Sequence, residues 1–91
     1  MNIELNPGKN RFEVSVEGNL CKLEYELDDN IIHMNHVGVP KEVGGRGIAG
    51  ELTRHALDHA RSEGWRVVPN CPYVKNWIER HSEYSELVPD P

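Results

Sequence analysis

A glycine-rich stretch most constrains what this chain can fold into. It runs from Val37 to Gly50 and is typical of a strand, a loop and the first turn of a helix. Glycine lets backbone N–H groups approach a phosphate closely, because no Cβ blocks the approach. The helix that follows adds unpaired N–H groups and the positive end of its dipole. The stretch predicts an anion-binding loop; the alternative is a glycine turn that only changes the direction of the chain.

The segments before the loop alternate between apolar and polar residues, which is typical of half-buried strands. We predict one strand from Arg11 to Glu17 and a second from Cys21 to Leu27. Gly18-Asn19 between them is typical of a hairpin turn. Residues 1–10 are interpreted as a lead-in that turns at Asn6-Pro7-Gly8.

The third apolar segment, Ile31 to Val39, is out of phase with itself. Ile32 and Met34 occupy one parity and Val37 and Val39 the other, so a regular strand cannot place all four on one face. An inserted residue near Asn35-His36 would restore the phase as a β-bulge. A strand that is buried on both faces would explain the pattern equally well.

After the loop the pattern becomes helical, from about Gly47 to Glu63, and Gly64 is typical of a helix end. Residues 65–69 then predict a strand parallel to the one before the loop, because a helix connects them. Pro72 suits the first turn of a second helix, which puts Cys71 near its N-cap. We assign no structure to the tail, residues 82–91. The predicted fold class is α+β (mixed α/β): a curled, mostly antiparallel sheet with a β-loop-α-β unit.

Length and charge exclude several classes of protein. The 91 residues suit a single domain, 1–91, and the net charge of −5 argues against general binding of nucleic acid. No apolar run approaches the length of a membrane span, and the first residues do not resemble a signal peptide. We therefore expect a cytoplasmic protein, with no membrane partner and with both cysteines as thiols.

The loop does not match two common nucleotide-binding motifs. No Gly-Lys-Ser/Thr follows, which argues against a Walker A loop. Gly45-Arg46-Gly47 begins a Gly-x-Gly, but Gly50 comes one residue early for the dinucleotide fingerprint, and the preceding sheet is predicted to be antiparallel.

The segment Gly44-Gly45-Arg46-Gly47-Ile48-Ala49 resembles motif A of the GCN5-related N-acetyltransferases, Gln/Arg-x-x-Gly-x-Gly/Ala. Gly44 stands where Gln or Arg is usual, which removes a polar side chain and leaves the backbone cradle. Three further elements resemble the small YjdJ-like subgroup, which keeps the acetyl-CoA half of the fold. They are His36-Val37-Gly38-Val39, Cys71-Pro72-Tyr73 and the terminal segment from Glu79 to Tyr84. The resemblance covers residues 10–88.

The resemblance implies a site for acetyl-CoA. In this family the strand before the loop and the next one splay apart, and the acetyl thioester enters the gap between them. Val37 and Val39 would then lie beside the pantetheine arm, with Asn70 and Cys71 on the far side. The pyrophosphate would be held by backbone groups of the loop, namely those of Val43, Gly44, Gly45, Arg46, Gly47, Ile48 and Ala49.

Cys71 and His36 are the candidate catalytic residues. A cysteine at a helix N-terminus is favoured as a thiolate and could carry the acetyl group, although a neutral thiol that lines the site is an equal alternative. His36 could deprotonate the incoming amine, or it could be a polar side chain satisfied within the sheet. His55 and His59 have helical spacing but no evident third ligand, so we expect no metal site.

The resulting hypothesis is an acetyl-CoA-dependent N-acetyltransferase that acts on the amine of a small molecule or protein, its identity unknown. The alternative is a CoA-binding or acyl-CoA-binding module without useful turnover. A domain that binds a partner and uses the loop only structurally is a third interpretation. The sequence does not define an amine pocket or an oligomeric state.

Overall fold

The computed structural model describes residues 1–89, which form a five-stranded sheet and two α-helices. The strands follow one another in space as they do in sequence, β1-β2-β3-β4-β5. Neighbours from β1 to β4 are antiparallel, and β4 and β5 are parallel. This confirms the predicted α+β class. The strands are β1 (Glu4–Asn6), β2 (Arg11–Val16), β3 (Asn19–Asp28), β4 (Ile31–Gly38) and β5 (Arg66–Pro69), and the helices are α1 (Ile48–Glu63) and α2 (Pro72–Arg80).

The lead-in is more ordered than the sequence predicted. Residues 4–6 form strand β1, which pairs with β2 in a register that sets Leu5 opposite Phe12. The expected turn follows as a single 3-10 turn, Pro7–Lys9, with the Asn6 side chain accepting from the Lys9 N–H at 3.3 Å. Three residues are too few to show alternation, so this strand depends on the free edge that β2 offers.

Strand β4 contains the bulge that the phase slip suggested. Its pairing with β3 passes from Tyr25↔Met34 to Glu24↔His36, so Asn35 is the extra residue. Ile32 and Met34 are fully buried, and Val37 packs against the same core from beyond the bulge. The bulge thus returns the apolar residues of the second half to the core face, and the alternative of a strand buried on both faces is wrong.

Helix α1 begins and ends at glycines in the left-handed conformation. Gly47 is its N-cap with φ 77°, and Gly64 is its C-cap with φ 75°. Leu52, Ala56 and Ala60, which recur at helical spacing, are fully buried, and this confirms the helical pattern seen in the sequence. Both helices contribute to the same buried cluster as the apolar face of the sheet, so they pack on one side of it.

The opposite side of the sheet, here called the outer face, is polar. It carries the side chains of β2, β3 and β4 that alternate with the buried ones, and none of these polar residues is buried. The sheet therefore has one covered and one uncovered side, as antiparallel sheets often do. The outer face includes Arg11, Glu13, Lys22, Glu24, Glu26, His33 and His36.

The tail, to which we assigned no structure from the sequence, is ordered over residues 82–87. They form a 3-10 helix whose Tyr84 and Leu87 are buried. The Tyr84 hydroxyl donates to Asp58 Oδ1 of α1 at 2.7 Å, and Arg61 of α1 donates to the Glu83 carbonyl at 2.6 Å. Burial is the main cause that raises the pKa of Tyr84, and Asp58 adds to it. Residues 90 and 91 of the tail lie outside the described residues.

Candidate functional site

The glycine loop lies between the end of β4 and the start of α1. A 3-10 turn, Lys41–Val43, comes first and anchors the loop through the fully buried Val43. Gly45 and Gly47 then have φ values of 76° and 77°, in the left-handed region that favours glycine. No other atom lies within 4 Å of where a Cβ would stand at either position, so it is the backbone conformation that requires glycine there.

The loop presents backbone N–H groups in a form that suits an anion. Within residues 1–89, no protein group accepts a hydrogen bond from the N–H of Gly45, Arg46 or Gly47. The first N–H groups of α1 have no partner within the helix either, because every α-helix leaves its first turn unpaired. Loop and helix start thus combine unpaired donors with the positive end of the helix dipole.

Gly44, the position that departs from the family motif, does not need to be glycine. Its φ of −68° and ψ of 161° are ordinary extended values, and its N–H donates to the Lys41 carbonyl at 3.1 Å. A Cβ at this position would come 3.4 Å from the Lys41 carbonyl oxygen. The backbone path of the loop is therefore compatible with the side chain that is usual here.

The Arg46 side chain is held in an ion pair with Glu17. Its guanidinium donates twice to the Glu17 carboxylate, at 2.7 Å and 3.1 Å. Hydrogen bonding to Arg46, and then its charge, holds the pKa of Glu17 below its usual value. The Arg46 and Glu17 side chains are 45% and 64% exposed, so water and salt screen the pair. The pair ties the β2–β3 turn to the loop.

Strands β4 and β5 part beside the loop. Their pairing runs from Ile31↔Arg66 to Met34↔Pro69 and stops there, whereas β4 continues to Gly38 on the β3 side. Within residues 1–89, the last backbone hydrogen bond between the two chain segments runs from the Cys71 N–H to the Met34 carbonyl, at 2.9 Å. Beyond it lie Val37 and Val39, both partly buried against the core. The bulge at Asn35 marks the point where the gap opens.

Cys71 and His36 lie on different sides of the sheet. Cys71 is the N-cap of α2, 6% exposed, and belongs to the buried cluster. His36 is exposed on the outer face, opposite Glu24 in the register, and its Nε2 lies 3.1 Å from where a Cβ on Gly38 would stand. The structure therefore places both beside the gap but does not bring the two side chains together.

Asn70 also lies at the gap, although its side chain turns to the outer face. Its Nδ2 donates to Asn35 Oδ1 at 2.9 Å, which links the end of β5 to the bulge of β4. The sequence analysis missed this pair and the Glu17–Arg46 pair, because no local pattern joins residues so far apart. His55 and His59 both pack edge-on against Phe12. This shared packing partner explains why the two histidines have helical spacing.

This combination of a glycine cradle and a parted β4–β5 pair can be compared with known proteins. A sequence model described as GCN5-related N-acetyltransferase matches residues 11–87. The chain belongs to the GCN5-related N-acetyltransferase family. The glycine loop and the α+β fold agree with this assignment.

The relatives of this N-acetyltransferase family member are distant in sequence, and one solved structure is similar to it in fold. Protein NATD1 of Bos taurus is 29% identical over 82 residues, which are 87% of this chain and 73% of the relative. Protein NATD1 of Mus musculus is 30% identical over 84 residues, 87% of this chain and 76% of the relative. The solution structure of a GCN5-like putative N-acetyltransferase from Staphylococcus aureus superposes with a TM-score of 0.77 at 25% identity, covering 99% of this chain and 89% of that one.

Proposed function

We propose that this protein is an acetyl-CoA-dependent N-acetyltransferase that moves an acetyl group to a primary amine. The observation that carries the proposal is the parted β4–β5 pair beside a loop of unpaired N–H groups. The loop suits the pyrophosphate of CoA, because its unpaired N–H donors lie at the start of a helix. Acetyl-CoA, when bound there, would supply the acetyl group as a thioester. The gap that opens beside Val37 and Val39 could hold its extended pantetheine arm.

The residues of β4 beyond the bulge would position and polarise the acetyl group. Their β3 side is paired, while the edge that faces the gap has no strand partner within residues 1–89. A backbone N–H on this edge, near Val37 to Val39, can donate to the carbonyl oxygen on which negative charge develops. The ammonium of the acceptor first loses one proton to solvent. The neutral amine nitrogen then forms a bond to the acetyl carbon as the carbon–sulfur bond breaks, and a second proton passes from the nitrogen to the departing thiolate, which leaves as CoA thiol.

The burial of Cys71 favours direct attack by the amine over a cysteine nucleophile. Its thiol lies in the apolar cluster, and the candidate base His36 lies on the other side of the sheet. We propose that Cys71 lines the site. Cys71→Ala should then keep kcat within about threefold, and mass spectrometry after incubation with labelled acetyl-CoA should show no acetyl adduct. An adduct on Cys71, lost in the variant together with activity, would establish the nucleophile instead.

Calorimetric titration with acetyl-CoA tests the proposal as a whole. We expect saturable binding, and release of CoA that rises when amines are added. No binding at millimolar acetyl-CoA would refute both the enzyme and the binding module. Binding without amine-stimulated release of CoA would support the binding module.

A further inference from the structure

A polar cavity of about 380 Å³ opens on the outer face where β4 and β5 part. We call it the outer cavity. Its walls come from three places, the end of β3, the middle of β4 and the residue that follows β5. The lining residues are Glu26, Leu27, Asp28, His33, Asn35 and Asn70. Its volume is within the range of pockets that bind small molecules.

The outer cavity and the gap share a wall. Asn35 and Asn70, which are joined by the 2.9 Å hydrogen bond, line the cavity and also stand where the pairing of β4 with β5 ends. A molecule in the cavity would therefore reach the gap from the outer face, whereas the glycine loop leads to α1, which packs on the covered face. Two reactants could thus approach the gap from different directions.

The charge of the outer cavity is negative and uncompensated. Glu26 and Asp28 line it, no Lys or Arg does, and neither carboxylate forms an ion pair within residues 1–89. Two other glutamates of the outer face, Glu13 and Glu24, are held by Arg11 and Lys22. The unpaired acidic charge of this part of the sheet is thus concentrated where a cavity and the gap meet.

This charge selects between the two reactants of the proposed reaction. A negative cavity repels the phosphates of CoA and attracts a cation, and a primary amine is a cation at neutral pH. Glu26 and Asp28 are two residues apart on one strand and so stand about 7 Å from each other along it. That spacing allows them to hold a positive group while the other end of the molecule points toward Asn35 and Asn70.

We propose that the outer cavity binds the acceptor, and that the acceptor is a small aliphatic amine with a second positive charge. This inference rests on the proposed function, since it names the acceptor for that reaction. Glu26 and Asp28 would hold the second ammonium, and the Asn35–Asn70 pair would border the path of the reacting nitrogen. His33, which lies opposite Glu26 in the register and in the cavity wall, would also stand beside the amine.

Kinetics with 1,4-diaminobutane and 1-aminobutane test the acceptor class, because both are primary amines of the same length and only one carries a second charge. In the wild type we expect a KM about fivefold lower for the diamine. Glu26→Gln should abolish this preference and leave the KM for acetyl-CoA unchanged. Glu63→Gln is the control, because it removes the same charge from the exposed end of α1, far from the cavity lining.

Two outcomes would overturn the proposal: a preference that survives Glu26→Gln as it survives Glu63→Gln, or acetylation of a lysine-containing peptide but of neither small amine. Binding can also be measured without turnover. Added 1,4-diaminobutane should shift the backbone NMR signals of residues 26–28 and 33–35 in the wild type and not in Glu26→Gln. Absence of these shifts refutes the cavity even if acetyl-CoA binds, and absence of acetyl-CoA binding refutes the proposed function even if the shifts occur.

Discussion

The two halves of strand β4 have different neighbours although they are continuous in sequence. From Ile31 to Met34 the strand lies between β3 and β5, and its inward side chains, Ile32 and Met34, are fully buried. From Asn35 to Gly38 it keeps only β3, and no residue there is fully buried. One strand thus serves as the centre of the core and as the wall of the candidate site, with the bulge as the boundary.

The difference shows how a small domain can combine a packed core with an open edge. Continued pairing with β5 would close the gap. An earlier end would remove the pairing of the buried Ile32 and Met34 with Val67 and Pro69. The bulge also keeps Val37 and Val39 on the core side after the phase slip. A single inserted residue therefore separates what stabilises the fold from what is available to a ligand.

The largest effect on stability is expected from a substitution in the first half of β4, which pairs with β5. Met34→Ala should lower the free energy of unfolding by about 3 kcal/mol, because it leaves a cavity under a fully buried side chain. Ile31→Ala is the control on the same strand, since Ile31 is 38% exposed, and should cost less than about 1 kcal/mol. Urea denaturation measures both. Equal losses would contradict the burial of Met34 in the core.

Deletion of Asn35 would test whether the bulge separates the two halves of β4. Without the extra residue the second half of β4 must change face, so Val37 and Val39 would turn away from the core. We expect the affinity for acetyl-CoA to fall more than about tenfold, or about 1.4 kcal/mol, in calorimetry. Asn35→Ala is the matched control: it keeps the bulge, removes the Asn70 hydrogen bond and should retain binding. Unchanged affinity after the deletion would show that the bulge does not position the loop.

Gly47→Ala should destabilise the glycine loop, which follows the second half of β4. Alanine at a φ of 77° costs about 1–2 kcal/mol, which should lower both stability and the affinity for acetyl-CoA. Gly44→Ala provides the comparison, because its φ of −68° suits any residue. Denaturation and calorimetry on both variants give the measurement. A Gly44→Ala variant as impaired as Gly47→Ala would mean that crowding at Lys41, and not the left-handed backbone, decides which positions need glycine.

The smallest effect concerns the exposed Glu17–Arg46 pair that fastens the loop. The pKa of Glu17 is lowered from 4.5, so the pair stabilises the folded state fully above pH 4.5 and loses its contribution as the pH falls through the lowered pKa. Glu17→Gln should therefore be slightly less stable than the wild type at pH 7, and the difference should shrink at pH 3. Urea denaturation at both pH values would detect it. A difference that grows on acidification would contradict the ion pair.

Much of the fold followed from periodicity, and the exceptions have physical causes. The alternation in β2 and β3 predicted half-buried strands. The broken phase between Met34 and Val37 left two interpretations, a bulge or a strand buried on both faces, and the structure shows the bulge. Strand β1 was missed because three residues carry no period. The 3-10 helix at Ser82–Leu87 was missed because two buried residues, Tyr84 and Leu87, do not define a helical stripe in an acidic segment.

The part of the candidate site that is formed by consecutive residues was predictable from the sequence. The parts that are formed by residues far apart in the chain were not. The glycine loop could be located from consecutive residues, since its chemistry depends on backbone conformation. Glu17 with Arg46, 29 positions apart, and Asn35 with Asn70, 35 positions apart, are brought together only by the sheet. The outer cavity depends on three separate segments, so a single sequence has no pattern that would indicate it.

The position of β5 has a consequence for the order in which the molecule folds. The first four strands form a meander of short connections, each of which can close locally, whereas β5 reaches β4 only after α1 has crossed the sheet. Contacts between distant positions cost more chain entropy and form more slowly. We therefore expect the parted pair to form after the hairpins, so a partly folded chain that has only the four-strand meander would lack the candidate ligand site.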